Sequence, residues 1–334
     1  MTEDIEATSR SEKKKMRSKK RGFLWFLTIP FLLLIIGGIS YSSFIYNKAK
    51  AVASNSYAEI NKSSKRDKEV APLKDNISIL IMGVDESEQR KSQYGEAVRT
   101  DALLLATINK DDKSVKLVSI PRDSRVYIPS RKKLDKITHA HVFGGVESTR
   151  DTVERFLNVP VDYYVKFNFE SFIKIVDSLG GIDIDVPVTF TEQDSKDQAG
   201  AIHLEKGYQH LNGEQALALA RTRKIDSDAM RGQRQQLVIE AIAKKALSVK
   251  SITKLSSLLD AVDNNLKTNL TFDDMLAIAK NMAGTDLNIE KMQVQGTDKR
   301  INGIYYYQPN EQNVTEISKQ LNDHLGVTEK AASK

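Results

Sequence analysis

An α/β domain with a buried, partly parallel sheet is the fold this sequence predicts, and three observations predict it. Short apolar runs recur at Ile77–Gly83, Ala102–Ile108 and Val115–Ile120, each the length of a buried strand. Beyond them strand and helix patterns alternate: Glu147–Leu157 helical, Val161–Phe167 extended, Phe169–Leu179 helical, Ile182–Val186 extended. That order builds crossover units. A long helix from Ala229 to about Val249 lines up Leu237, Val238, Ala241, Ile242, Ala246 and Leu247 on one stripe, as a helix covering a sheet does. The chain has 334 residues, 40% hydrophobic and 28% charged, enough for one sizeable domain with attachments.

Taken in order, the chain opens with a basic tail at residues 1–22. Residues 1–21 hold eight Lys or Arg against four acids, so four of the six net positive charges lie there. The rest is close to neutral, which argues against a nucleic-acid partner despite a pI near 9.1. Phe23–Tyr46 carries no charge and matches the roughly 20 apolar residues of a membrane-crossing helix. Aromatic residues at both ends suit the two interfaces, and the basic block places the N-terminus in the cytoplasm and the rest outside. This is a single-pass type II anchor in the cell membrane; Ala49-Lys-Ala51 leaves a cleaved signal as the alternative. Residues 47–75 are polar and read as an extracellular stalk. Zero cysteines exclude disulfides, thiolate metal sites, cysteine nucleophiles and a lipid-modified cysteine.

The first strand ends in Gly83-Val-Asp85, and a polar loop leads to Arg99-Thr-Asp101 and the second strand. Asn109–Lys113 turns into the third, which ends at Pro121-Arg122-Asp123. Three strands thus deliver Asp85, Arg99, Asp101, Arg122 and Asp123 at strand ends, where ligands bind in open α/β sheets. Asp85 and Asp101 either hold a hard cation that bridges phosphate oxygens or cap turns and pair with Arg99 and Arg122. Arg131–Lys133 reads as a basic loop. His139 and His141 lack further ligands at a familiar zinc spacing. Gly180-Gly181 closes the helix before Ile182–Val186, and Thr191–Ala201 is polar loop. His203 and His210 read as packing or surface residues.

A helix from Gly213 then ends near Arg221 and Arg223, two residues apart where helix gives way to extended chain. Asp226, Ser227 and Asp228 are candidate N-caps for the long helix, whose first turns carry Arg231, Arg234 and Gln235 together. Guanidiniums at a helix N-terminus suit a phosphate-rich anion; a solvated basic face is the competing reading. Ile252–Val262 and Phe272–Met282 follow as helices, with a strand near Leu287–Val294 and a last helix Glu311–Leu325. Ile304–Tyr307 reads as a strand of mixed burial rather than a stacking platform. Residues 76–250 form the core, 251–327 complete the domain, and 328–334 fray.

With these residues assembled, the sequence resembles the LytR-CpsA-Psr family, and within it the LytR branch. The resemblance rests on the basic tail and anchor, Ile81-Met-Gly-Val-Asp85, Arg99-x-Asp101 and Ser119-Ile-Pro-Arg-Asp123. It continues through Lys136-Ile, Phe143-Gly-Gly145, Val176-Asp-Ser-Leu-Gly-Gly181, Leu211-Asn-Gly213, Ala218-x-Ala-Arg-x-Arg223 and Asp228-x-x-Arg231-x-x-Arg234-Gln235. It covers about residues 10–325. What it implies is a central mixed β-sheet flanked by helices on both faces, with a long apolar tunnel, behind a single transmembrane helix. It further implies an enzyme of Gram-positive envelopes that moves a glycopolymer, wall teichoic acid above all, from undecaprenyl pyrophosphate onto peptidoglycan. By the same resemblance Asp85 and Asp101 bind Mg²⁺ or Mn²⁺. Arg99, Arg122, Arg221, Arg223 and Arg231 hold the pyrophosphate with Gln235, and Asp228 orients arginines or serves the acceptor. The catalytic set is then Asp101, Arg122, Arg221, Arg223 and Asp228, with Asp101 or Asp228 as candidate general base. Alternatives are an envelope-gene attenuator, a lipid-linked pyrophosphate hydrolase and a non-catalytic lipid carrier.

Overall fold

The computed structural model describes residues 43–85 (without 45, 49 and 52), 98–223, 228–248, 266–282 and 287–327. Met1–Ala49 and Lys50–Lys334 are separate units. Almost all of the expected anchor, and the expected helix at Ile252–Val262, lie outside the described residues. Among the described residues no helix is long and apolar enough to cross a membrane.

Six strands build the central sheet: β1 (Ile77–Val84), β2 (Thr100–Asn109), β3 (Ser114–Ser119), β6 (Tyr163–Phe167), β11 (Leu266–Thr268) and β12 (Asn288–Gln293). Their order is β11-β6-β1-β2-β3-β12. β1 runs parallel to β6 and β3 parallel to β12, whereas β2 is antiparallel to both β1 and β3. The sheet is therefore mixed. The carboxyl ends of β1, β3, β6 and β12 meet the start of β2 at one edge.

Alternation along the strands sends side chains to two faces. Leu80, Met82, Leu103, Leu105 and Val118 enter the larger core, under helices α1 (His139–Leu157) and α6 (Glu311–Leu325). Leu104, Ala106 and Leu117 point the other way, against Ile239 of helix α4 (Asp228–Ala246). Helix α5 (Phe272–Met282) covers the same face further along, through Met275 and Ile278. Helices thus lie on both faces, as expected. Gln236 of α4 pins that helix down by donating to Leu117 O (2.7 Å) and Met292 O (2.6 Å) across β3 and β12.

A second core lies beside the α4 face. Helix α2 (Phe169–Ser178) and helix α3 (Gly213–Arg221) each begin with an asparagine capping box, at Asn168 and Asn212. They pack with Val238 over the antiparallel pair of β7 (Ile182–Val186) and β10 (Gly207–Leu211). Gly213 permits the approach: a Cβ there would lie 2.5 Å from Ile173 O.

Several local expectations are revised. The basic loop around Arg131 is a turn in a hairpin, β4 (Arg125–Ile128) with β5 (Lys133–Lys136). Helix α1 starts at His139, ahead of Glu147, with a kink where Gly145 takes φ +60. The polar loop after Val186 contains β8 (Phe190–Glu192) paired with β9 (Ile202–Leu204). Tyr305–Tyr307 lie in β14 (Ile304–Pro309), whose hairpin partner β13 (Gly296–Ile301) was not anticipated. From Tyr57 onward the segment read as a stalk is docked. Ala58 and Ile60 pack on the larger core, and the Arg66 fork pairs with Asp162 at 2.8 and 2.7 Å.

Candidate functional site

At the sheet edge where those strand ends meet, a cavity of about 320 Å³ opens between the sheet and helices α2, α3 and α4. Its polar wall is drawn from five chain segments: Asp85 after β1, Asp101 on β2, Arg122 after β3, Arg221 and Arg223 at the end of α3, and Arg231 and Gln235 on α4. Its apolar wall comprises Ala102 and Leu104 of β2, Phe167, Phe169 and Phe172, Leu217 and Ala220 of α3, and Val238 and Ile239 of α4. Four guanidiniums face two carboxylates, so the charged wall carries a surplus of two positive charges. Directly behind it the lining is greasy.

Local structure explains how each charge is held. Leaving α3, Thr222 takes φ −59 and ψ 136, so the helix gives way to extended chain between Arg221 and Arg223. Arg221 Nη1 donates to Asp194 O at 3.0 Å, and its guanidinium lies 5.1 Å from the Phe169 ring centroid. Gln235 Nε2 donates to Ala220 O at 3.3 Å, tying α4 to the end of α3. Arg122 donates from Nη1 to Asp101 Oδ1, and its Nε lies 3.5 Å from Asp123 Oδ2. Lys136 Nζ completes the row, 2.8 Å from Asp123 Oδ1. Burial pushes the Asp123 carboxyl up. The hydrogen bond from Lys136 and the charges of Arg122, Lys136 and Arg223 outweigh it and hold the group below its ordinary value.

Seven predicted residues therefore come together: Asp85, Asp101, Arg122, Arg221, Arg223, Arg231 and Gln235. Arg99 sits exposed before β2 and is not among the lining residues. Asp228 opens α4, with its side chain outside the described positions. Arg234 leaves the group it was placed in. It is 1% exposed and donates to Thr222 O at 2.8 Å, so it clasps the end of α3. His141 presents Nδ1 to Val98 O (2.9 Å), and His203 and His210 lie exposed beside Glu205 and Asp183. The sequence carried the apolar wall only as the tunnel that the resemblance implies, naming none of its residues, and understated the Asp123–Lys136 pair. The available signal for the latter was the acid directly after Arg122.

Two carboxylates with hard oxygen donors fit Mg²⁺, which takes one or two carboxylates and fills its shell with phosphate oxygens and water. Among the described residues no three His, Asp or Glu cluster as an all-protein metal cage.

Comparison with known proteins follows the same lines. The LytR_cpsA_psr family model matches residues 42–323. A curated relative from Bacillus subtilis (strain 168), polyisoprenyl-teichoic acid–peptidoglycan teichoic acid transferase TagU, is 41% identical over 312 residues, 92% of this chain and 98% of its own. The solved structure of TagT bound to LIIa-WTA is 40% identical with a TM-score of 0.68, covering 81% of this chain and 99% of that one. Another, the family protein YwtF (TagT) with bound octaprenyl pyrophosphate lipid, is 36% identical with a TM-score of 0.64, covering 81% and 99%. With the motifs, the mixed sheet and the family model in agreement over most of its length, the chain belongs to the LytR-CpsA-Psr family.

Proposed function

We propose that the protein is a membrane-anchored phosphotransferase that moves an anionic glycopolymer of the wall teichoic acid class from an undecaprenyl-diphosphate carrier onto peptidoglycan. One observation carries the reading. A single cavity joins a guanidinium-rich wall to an apolar wall, the two chemistries needed to hold a diphosphate and the isoprenoid attached to it. The names of the relatives, teichoic acid transferases and a protein with a polyprenyl pyrophosphate lipid, support it.

In this reading Arg122, Arg221, Arg223 and Arg231 grip the diphosphate, which guanidinium forks suit better than ammonium groups. A hydroxyl of the glycan acceptor attacks the phosphorus that bears the sugar. The bond from that phosphorus to the bridging oxygen breaks, undecaprenyl phosphate leaves carrying that oxygen, and the hydroxyl proton passes to a carboxylate, Asp101 or Asp228. Positioning and charge neutralisation carry such reactions. Mg²⁺ held by Asp85, Asp101 and phosphate oxygens would add charge neutralisation on the departing phosphate. Arg122, pinned between Asp101 and Asp123 at the cavity wall, would act on the same charge. The anchor at residues 23–46 would keep the domain outside the membrane surface, within reach of both lipid-linked donor and wall.

The test is transfer in vitro from a synthetic polyprenyl-diphosphate donor to peptidoglycan oligomers, with and without Mg²⁺ and with and without acceptor. A covalent polymer–glycan product supports the reading. Release of phosphorylated polymer at the same rate without acceptor identifies a hydrolase, and no turnover with intact donor binding identifies a carrier.

A further inference from the structure

The row Arg122–Asp123–Lys136 does not end at the cavity. Through Lys136 it reaches a second surface, where the β4–β5 and β13–β14 hairpins meet edge to edge. Tyr307 N donates to Asp123 O at 2.9 Å, and Ser124 bridges Tyr307. On this surface Arg125 and Lys136 stand directly opposite each other across the β4–β5 pair, an arrangement that costs stability in a sheet. Tyrosine rings surround the two charges. Arg125 lies 6.0 Å from the Tyr306 ring centroid, and Lys136 Nζ lies 5.5 and 5.8 Å from those of Tyr305 and Tyr306. Tyr127, two residues beyond Arg125 on the same face of β4, has Arg155 4.5 Å from its ring centroid. Lys299 is exposed and pairs across the hairpin with Tyr306.

We infer that this aromatic and cationic face is a binding track for the sugar- or polyol-phosphate repeats of the donor polymer, leading away from the diphosphate cavity. Cations spaced along a strip match a chain with a phosphate in every repeat. Half-buried tyrosine rings offer faces on which the C–H bonds of a sugar or polyol pack. A neutral glycan would use the rings and leave the charges of Arg125 and Lys299 unused. The inference rests on the proposed transfer reaction for the identity of the polymer, while its own evidence is the composition and continuity of this face.

The experiment uses the full chain in detergent and a lipid-free, fluorescent poly(glycerol phosphate) oligomer, with binding read by anisotropy. Lys299→Glu changes an exposed charge, and Tyr306→Ala removes a ring; each weakens oligomer binding roughly tenfold, the scale of one charge-assisted contact. Transfer from a short donor with a single disaccharide on polyprenyl diphosphate stays at the wild-type rate in both. Oligomer binding that is unchanged in Lys299→Glu overturns the track. So does an uncharged glycan strand that binds the wild type as tightly as the oligomer. If the wild type binds the oligomer through this face yet transfers no short donor, the track stands and the transfer reading falls.

Discussion

Filling the apolar wall offers the sharpest test of how the cavity works. Ala220 lies on α3 at the cavity wall, partly buried beside Phe169 and Arg221. Ala220→Phe projects a phenyl ring into the space read as the tail's, displacing about one isoprene unit. About five carbons at about 0.8 kcal/mol each give about 4 kcal/mol as an upper bound, or about a thousandfold in affinity. The assay is competitive binding of isoprenyl diphosphates of increasing length to wild type and variant, with a thermal melt to confirm folding. In the wild type, affinity rises with each added unit until the cavity is filled. In the variant that rise stops about one unit earlier, while inorganic diphosphate binds both proteins alike. Affinity independent of tail length in the wild type would refute the claim that this wall holds a lipid.

Arg122→Ala should lower transfer about 10²–10³-fold with donor binding less affected; Arg122→Lys should recover part of the loss, because one ammonium cannot span Asp101 and phosphate as a fork does. For Asp123, whose folded carboxyl lies below its unfolded value of 3.8, the stabilisation is fully present above that value and is lost as pH falls through the folded one. Melting temperatures of wild type and Asp123→Asn should therefore differ most at neutral pH and converge below about pH 4; a gap that persists in acid counts against the ion-pair account. Gly213→Ala should cost about 1–3 kcal/mol in chemical denaturation, because the new methyl meets the backbone at Ile173 rather than a movable side chain. Weakened donor binding should accompany it, since α2 and α3 both wall the cavity.

What could be read from sequence divides along a physical line. Five of the six strands of the sheet were legible, β1 and β2 because burial on two faces requires long apolar runs and Ile77–Val84 and Thr100–Asn109 are such runs; the three-residue β11 (Leu266–Thr268) was not. The hairpins β4–β5, β8–β9 and β13–β14 were not, although β14 was read as a strand of mixed burial. Their strands are three to six residues long and half exposed, so charged and apolar positions mix and the period-two signal is lost. Lys133, read as the end of a basic loop, becomes the start of a strand because Arg125–Ile128 lies beside it. The docking of residues 57–66 depends on partners far along the chain, such as Asp162 for Arg66 and Glu147 for Asn61.

The site divides similarly. Charged residues announce themselves, since strand-end acids and paired arginines have little reason to gather on a neutral domain unless an anion draws them. Even so, composition could not separate Arg231 from Arg234. Their roles differ because one faces the cavity and the other faces Thr222 O, the carbonyl at the end of α3. The apolar wall was harder still. Val238 and Ile239 have the signature of core residues whether the space before them is filled or open. That depends on how α3 and α4 are held around the cavity, by contacts such as Gly213 of α3 on Ile173 of α2 and Gly232 of α4 on Ser119 of β3. The cavity in this fold is thus a consequence of helix placement. Its presence is read from backbone separations, and only its charged rim is read from residue types.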